Sequence, residues 1–140
     1  MTDPGAAKGR PGEFHRWIVD AMNVIGSRPD GWWRDRGGAV AALVEKLDRW
    51  AAAEAADVTV VLERPPRAPI PISVVEVAHA PRAAPNSADD EIVRLVRSDA
   101  RPGGVRVVTS DRALIERVRS LGAAVFSADG FRNLVDPRDR

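Results

Sequence analysis

Asp20 closes the run RWIVD, and Asp111 directly follows the run VRVVTS. Both runs are short, apolar and rich in β-branched residues, the pattern of a parallel strand buried on both faces. In an open α/β sheet, ligands gather outside the carboxyl ends of the strands. A third acid comes from NSADDE, where Asp89 and Asp90 stand at the start of a helical pattern. Carboxylates brought together in this way repel one another unless a cation lies among them. An all-oxygen set with no Cys or His suits Mg²⁺ or Mn²⁺ better than zinc. Such an ion lowers the pKa of bound water and holds a phosphodiester for in-line attack. An Asp after a strand is also often a plain helix cap, and Asp111 is positioned to cap DRALIERV.

The elements that must position these acids alternate along the chain. RWIVD (16–20) reads as strand one, and residues 21–36 read as a loop broken by Gly26, Pro29 and Gly31. From Gly38 to Ala56, Val40, Leu43, Val44, Leu47 and Trp50 recur at helical spacing. VTVVLE (58–63) is strand two, with Glu63 at its end. RPPRAPIP (64–71) is a proline-stiffened loop, and ISVVEVAHA (72–80) an edge strand. Asn86 or Ser87 caps the helix that carries Asp89, Asp90 and Glu91 at its positive end. VRVVTS (105–110) is strand four. A helix from Asp111 closes at Gly122, AAVFSA is strand five, and Asp129 starts a last short helix.

This alternation predicts an α/β protein, a parallel sheet with helices on both faces. If strand four returns beside strand one, the order is 3-2-1-4-5. The switch point then lies between the strands that carry Asp20 and Asp111, with Asp89 and Glu63 beside them.

The whole chain limits the alternatives. At 140 residues it holds one core, and residues 15–136 read as one domain between tails at 1–14 and 137–140. The net charge is +1 and almost every cation is arginine, with Lys8 and Lys46 the two lysines. The absence of cysteine excludes disulfides, zinc thiolates and a thiol nucleophile. There is no apolar run of about 18 residues and no signal-peptide pattern, so no membrane partner and a cytoplasmic location are expected. No glycine-rich phosphate loop and no Ser-His-Asp arrangement is present, and His79 reads as an edge-strand histidine.

The segments VDAMNVIG, SADDEIVRLV and VVTSDRALIERVRSLGA, in that order, resemble the YacP-like branch of the NYN domain family, within the PIN-like nuclease superfamily. The resemblance covers roughly residues 16–135. It implies a PIN-like three-layer α/β/α sandwich and a Mg²⁺- or Mn²⁺-dependent endoribonuclease. Asp20, Asp89 and Asp111 would be the metal-holding acids, Glu63 would extend the set, and Asn23 would position water or substrate. From the residues themselves, Asp90 reads either as a supporting partner of these acids or as a solvated charge at the helix start, and Ser110 either as a phosphate contact or, by preference, as the cap of the helix after strand four. The sequence departs from the family at Ala21-Met22, where relatives carry Gly then Tyr or His, and at Leu62-Glu63-Arg64, where they often carry Phe-Asp-Gly.

The implied partner is single-stranded RNA, either messenger RNA or RNA on the ribosome. The segment SRPDGWWRDRGG interleaves Trp32 and Trp33 with Arg28, Arg34 and Arg36. Trp32 is the base-stacking candidate and Trp33 the candidate core plug. Arg34 and Arg36 would meet phosphates, with Arg82 and Arg112 on the other side of the cleft. Two rival readings stand. One is an RNA- or ribosome-binding module of the same fold without turnover, favoured by the two departures. The other is a small phosphatase or nucleotide-binding domain, disfavoured by the lack of an Asp-x-Asp nucleophile motif.

Overall fold

The computed structural model describes residues 14–82, 84 and 86–138. Of the two expected tails, residues 1–13 and 139–140 lie outside the described residues. Five strands form the sheet: β1 (Arg16–Asp20), β2 (Val58–Leu62), β3 (Glu76–His79), β4 (Val105–Val108) and β5 (Ala124–Phe126). Their order is β3-β2-β1-β4-β5 and every pairing is parallel, as expected. The helices are α1 (Ala21–Ile25), α2 (Arg36–Glu54), α3 (Ser87–Ser98), α4 (Arg112–Ser120) and α5 (Ala128–Val135). Single 3₁₀ turns lie at Trp32–Arg34 and Pro102–Gly104. No helix among the described residues is long and apolar enough to cross a membrane.

Side chains alternate between the two faces of a strand, and two cores result. Val19, Val60 and Val108 pack on one face with Val24 of α1, Leu43 and Leu47 of α2 and Phe131 of α5. Ile18, Val61 and Val107 pack on the other with Ile92 and Val96 of α3 and Leu114 and Val118 of α4. All five β2 residues are buried, which is why this strand reads as an unbroken apolar run. Phe131 is fully buried among Trp17 and Trp50, each with ring centroid 5.2 Å away, and Phe126 at 6.2 Å. That aromatic cluster anchors α5 against the sheet. It also fixes the α5 N-terminus beside the loop after β4, where Ala128 N–H donates to Ser110 Oγ at 3.0 Å.

Several boundaries differ from the sequence expectation, each for a local reason. The segment 21–36 is not all loop: α1 follows Asp20 directly and buries Ala21, Val24 and Ile25. Helix α2 starts at Arg36, two residues early, because Asp35 accepts the Gly38 N–H at 2.9 Å and caps it. A side chain at residue 38 would collide with that carboxylate, which explains the glycine. Strand β3 is four residues rather than nine. The N–H groups of Ser73, Val74 and Val75 donate to the Asp48 carboxylate of α2 (3.0, 2.8 and 3.0 Å) and so do not join a ladder. These bonds hold the Asp48 carboxyl below its ordinary pKa, Val75 contributing most. Strands β2, β4 and β5 each end earlier than expected, at Leu62, Val108 and Phe126. Ser127, not Asp129, caps α5, accepting from Gly130 N–H at 3.3 Å. Asn86 holds the N-cap position of α3 in a left-handed conformation (φ 62°) with no side-chain capping bond. Gly122 ends α4 at φ +97°, a conformation that favours glycine. Phe14, placed in the tail by sequence, lies under the Arg106 guanidinium, 3.9 Å from ring centroid to Cζ.

Candidate active site

β1 and β4 are neighbours, paired Val19 to Val108. The chain leaves β1 toward β2 and β3, then returns through α3 to β4, so the switch point lies between these two strands. Asp20 is the last residue of β1 and is only 6 % exposed. An acid this deep at the end of an apolar strand needs partners. Thr109, fully buried one residue past β4, donates its hydroxyl to Asp20 Oδ2 at 3.0 Å. The same Thr109 oxygen accepts the Asp111 backbone N–H at 3.2 Å. Thr109 therefore ties the acid of β1 to the loop that carries the acid after β4.

Burial pushes the Asp20 carboxyl up to about 6, from an ordinary 3.8. The Thr109 hydrogen bond opposes this, the charges of Asp89 and Asp111 add to it, and the nearby Asn23 backbone N–H opposes it. That N–H is close enough to favour the charged form but makes no capping bond. Asp89, in the first turn of α3, is also raised. Burial is the main cause, Asp111 adds to it, Arg117 opposes it, and Asp90 and Glu63 raise it further. Carboxylates from β1, α3, the β2 end and the β4 loop thus feel one another across a single crevice. Among the described residues, however, no group of three His, Cys, Asp or Glu side chains is gathered closely enough to enclose a metal ion.

The remaining sequence candidates take varied places. Asp111 caps α4, its Oδ1 accepting from Leu114 N–H at 3.0 Å, so the plain capping role is real; a carboxylate has further lone pairs to offer. Asn23 Oδ1 accepts the Ser110 N–H at 2.7 Å, which joins the β1 and β4 loops and leaves the amide NH₂ as a donor. Ser110 does not cap α4; its hydroxyl accepts from α5. Asp90 is exposed and pairs with Arg117 at 3.0 Å, so of the two adjacent acids Asp89 is the one coupled to Asp111. Glu63 lies one residue past β2. Arg82 and Arg112 are exposed.

In the loop after α1 the two tryptophans are exposed in the opposite sense to the expectation. Trp32 is partly buried against the core, edge-on to Trp33, with the Arg36 guanidinium 5.3 Å from its ring centre. Trp33 is not a core plug but 52 % exposed. Arg28 is buried and donates to Asn133 Oδ1 (2.9 Å) and the Asp136 carbonyl (2.6 Å), so it is structural. Arg34 and Arg36 remain exposed. Thr109 was missed from sequence; the available signal was a hydroxyl residue two positions before an acid at a strand end.

The model of the YacP-like NYN domain matches residues 17–140. The chain belongs to the YacP-like NYN domain family. As an NYN domain of this family it is a PIN-like, nuclease-type domain. No curated protein matched it. Two crystal structures of Rae1 (YacP) from Bacillus subtilis share its fold. One, from a tryptophan-to-leucine mutant, is 23 % identical, covers 88 % of this chain and 76 % of that one, and has a TM-score of 0.69. The other is 22 % identical, covers 86 % and 72 %, and has a TM-score of 0.68. At that identity the likeness to this NYN domain is one of fold.

Proposed function

We propose that this NYN domain is a Mg²⁺- or Mn²⁺-dependent endoribonuclease acting on single-stranded RNA. The observation that carries the reading is the placement of Asp20 and Asp111 at the ends of the neighbouring strands β1 and β4, tied together through Thr109, with the charges of Asp89 and Asp111 adding to the burial that lifts Asp20 to about 6. Carboxylates carried to one crevice by the fold, with no ion pair to Asp20 or Asp111 among the described residues, have the donor chemistry of a hard divalent cation. Asp20, Asp89 and Asp111 would hold that cation, with Glu63 extending the acidic rim. Bound there, it would supply an acidified water and neutralise a phosphodiester.

The chain's own groups do the rest. Thr109 fixes the Asp20 carboxylate through Oδ2, and its second bond sets the position of Asp111. Asn23 closes the two loops over the crevice through Ser110 and offers its amide to water or a phosphate oxygen. Asp90 holds Arg117 beside the start of α3, where Arg117 moderates the charge of Asp89. The substrate contacts are assigned to Arg34 and Arg36 on one side of the crevice and to Arg82 and Arg112 on the other. Trp32 has its ring partly engaged, so Trp33 takes over the stacking role.

A second reading, a binding module without turnover, is favoured by one observation: Asp111 is already engaged as a cap, while among the described residues no three acids are gathered around one point. A cleavage assay on labelled single-stranded RNA separates the two. With Mn²⁺ or Mg²⁺ the wild type should cut internally. Asp20→Asn, Asp89→Asn and Asp111→Asn should each lower the rate more than roughly a hundredfold, and Asp90→Asn by no more than about tenfold. Binding without metal-dependent cleavage would select the second reading.

A further inference from the structure

A cleft of about 640 Å³ opens beside the crevice, between the first turns of α2 and the loop 64–71. Its floor is apolar, with Met22, Val40, Leu62 and Ile70. Arg34 and Arg36, just before and at the start of α2, and Arg64 and Arg67, from the loop 64–71, line it as well. Leu62 ends β2, and Met22 lies two residues beyond Asp20, so the cleft leads to the carboxylates. Three acids also line it: Asp35, Glu45 and Glu63. Asp35 is committed to capping α2, and Glu63 lies at the acidic end. Among the described residues Arg34, Arg64 and Arg67 form no ion pair, and all three are exposed.

Unneutralised guanidinium groups around an apolar floor suit an extended polyanion with flat apolar parts. Phosphates meet the guanidinium groups, and unstacked base faces meet the floor. Only an unpaired strand exposes base faces, so the cleft selects against a duplex. The second wall is rigid before binding. Pro65, Pro66, Pro69 and Pro71 restrict the loop, and Asp48 clamps its end through the Ser73, Val74 and Val75 N–H groups. A wall already ordered saves the entropy that a mobile loop would lose on binding.

We propose that this cleft is the channel through which single-stranded RNA reaches the carboxylates, with Arg64 and Arg67 of the proline-rich loop as its phosphate contacts together with Arg34 and Arg36. The assignment rests on the RNA-cleaving reading above, but its test is one of binding. A fluorescent oligouridylate is titrated by anisotropy over a range of salt, using Asp20→Asn as the parent so that no strand is cut. Adding Arg64→Ala with Arg67→Ala should weaken binding roughly tenfold and reduce the slope of log Kd against log salt by about 1.4, near 0.7 per phosphate contact on a single strand. Arg64→Lys with Arg67→Lys should restore most of the slope. Arg97→Ala with Arg119→Ala, exposed residues in the last turns of α3 and α4, should leave the slope unchanged. A slope and affinity unchanged by the Arg64 and Arg67 substitutions would overturn the proposal, as would equal affinity for an RNA duplex or no binding by the parent. RNA binding through the cleft by a wild type that cuts nothing with any divalent metal would instead sink the nuclease reading and leave the cleft standing.

Discussion

Asp20→Asn should stabilise the metal-free protein at neutral pH. The acid is buried at the end of β1, and its folded-state pKa is about 6 against an ordinary 3.8. The sign follows from proton linkage. Below about pH 4 the carboxyl is protonated in both states and contributes no difference. Between about 4 and 6 the unfolded chain ionises while the folded chain keeps its proton, so stability falls as pH rises. Above about 6 the full cost is present. The gap corresponds to at most about 3 kcal/mol. Asparagine keeps an oxygen that can accept the Thr109 hydroxyl and removes the charge. Urea unfolding followed by tryptophan fluorescence should therefore give a variant up to about 3 kcal/mol more stable than wild type near pH 7.5, the difference shrinking toward zero near pH 4. The carboxyls of Asp48, Asp99 and Asp136 are held below their ordinary values and lose stabilising contacts as pH falls. They are common to both proteins and cancel in the difference. A variant less stable than wild type at pH 7.5, or a difference that does not change with pH, would refute the electrostatic account of the crevice.

Thr109→Val, which keeps the shape but removes the hydroxyl, should cost about 1–3 kcal/mol by leaving the Asp111 N–H and the Asp20 oxygen without their partner. Because that hydroxyl holds the Asp20 pKa down, the acidic limb of any cleavage profile should also move to higher pH. Asp48→Ala should speed amide exchange at Ser73, Val74 and Val75 by roughly tenfold or more, with little change at β1; hydrogen exchange read by mass spectrometry or NMR checks it. Phe131→Ala should cost about 3–5 kcal/mol in urea unfolding through loss of the aromatic cluster that seats α5.

The strands and their order were legible because β2 is buried on both faces and β1 and β4 carry short β-branched runs that end in acids. The positions of Asp20 and Asp111 at one switch point follow from that order alone. Helix α1 escaped notice because five residues are too few for a helical period to emerge, and the breakers at 26, 29 and 31 dominate the segment. The length of β3 was misread because its apolar start looks like strand; only the distant Asp48 carboxylate, which takes its N–H groups, stops the ladder. The exchange of Trp32 and Trp33 between core and surface depends on the phase of one 3₁₀ turn, which neighbouring indoles do not encode. Arg28 looked like its neighbouring arginines, and its burial against Asn133 and Asp136 depends on α5, more than a hundred residues away.

We propose that Asp20 and Asp111 share a divalent cation. Calorimetric titration of Mn²⁺ into wild type and into the Asp20→Asn, Asp111→Asn double variant tests it directly. The wild type should bind saturably, with proton release in the pH range where Asp20 is partly protonated, and the double variant should lose that binding. Identical isotherms for the two proteins, or no Mn²⁺ binding by the wild type, would contradict it.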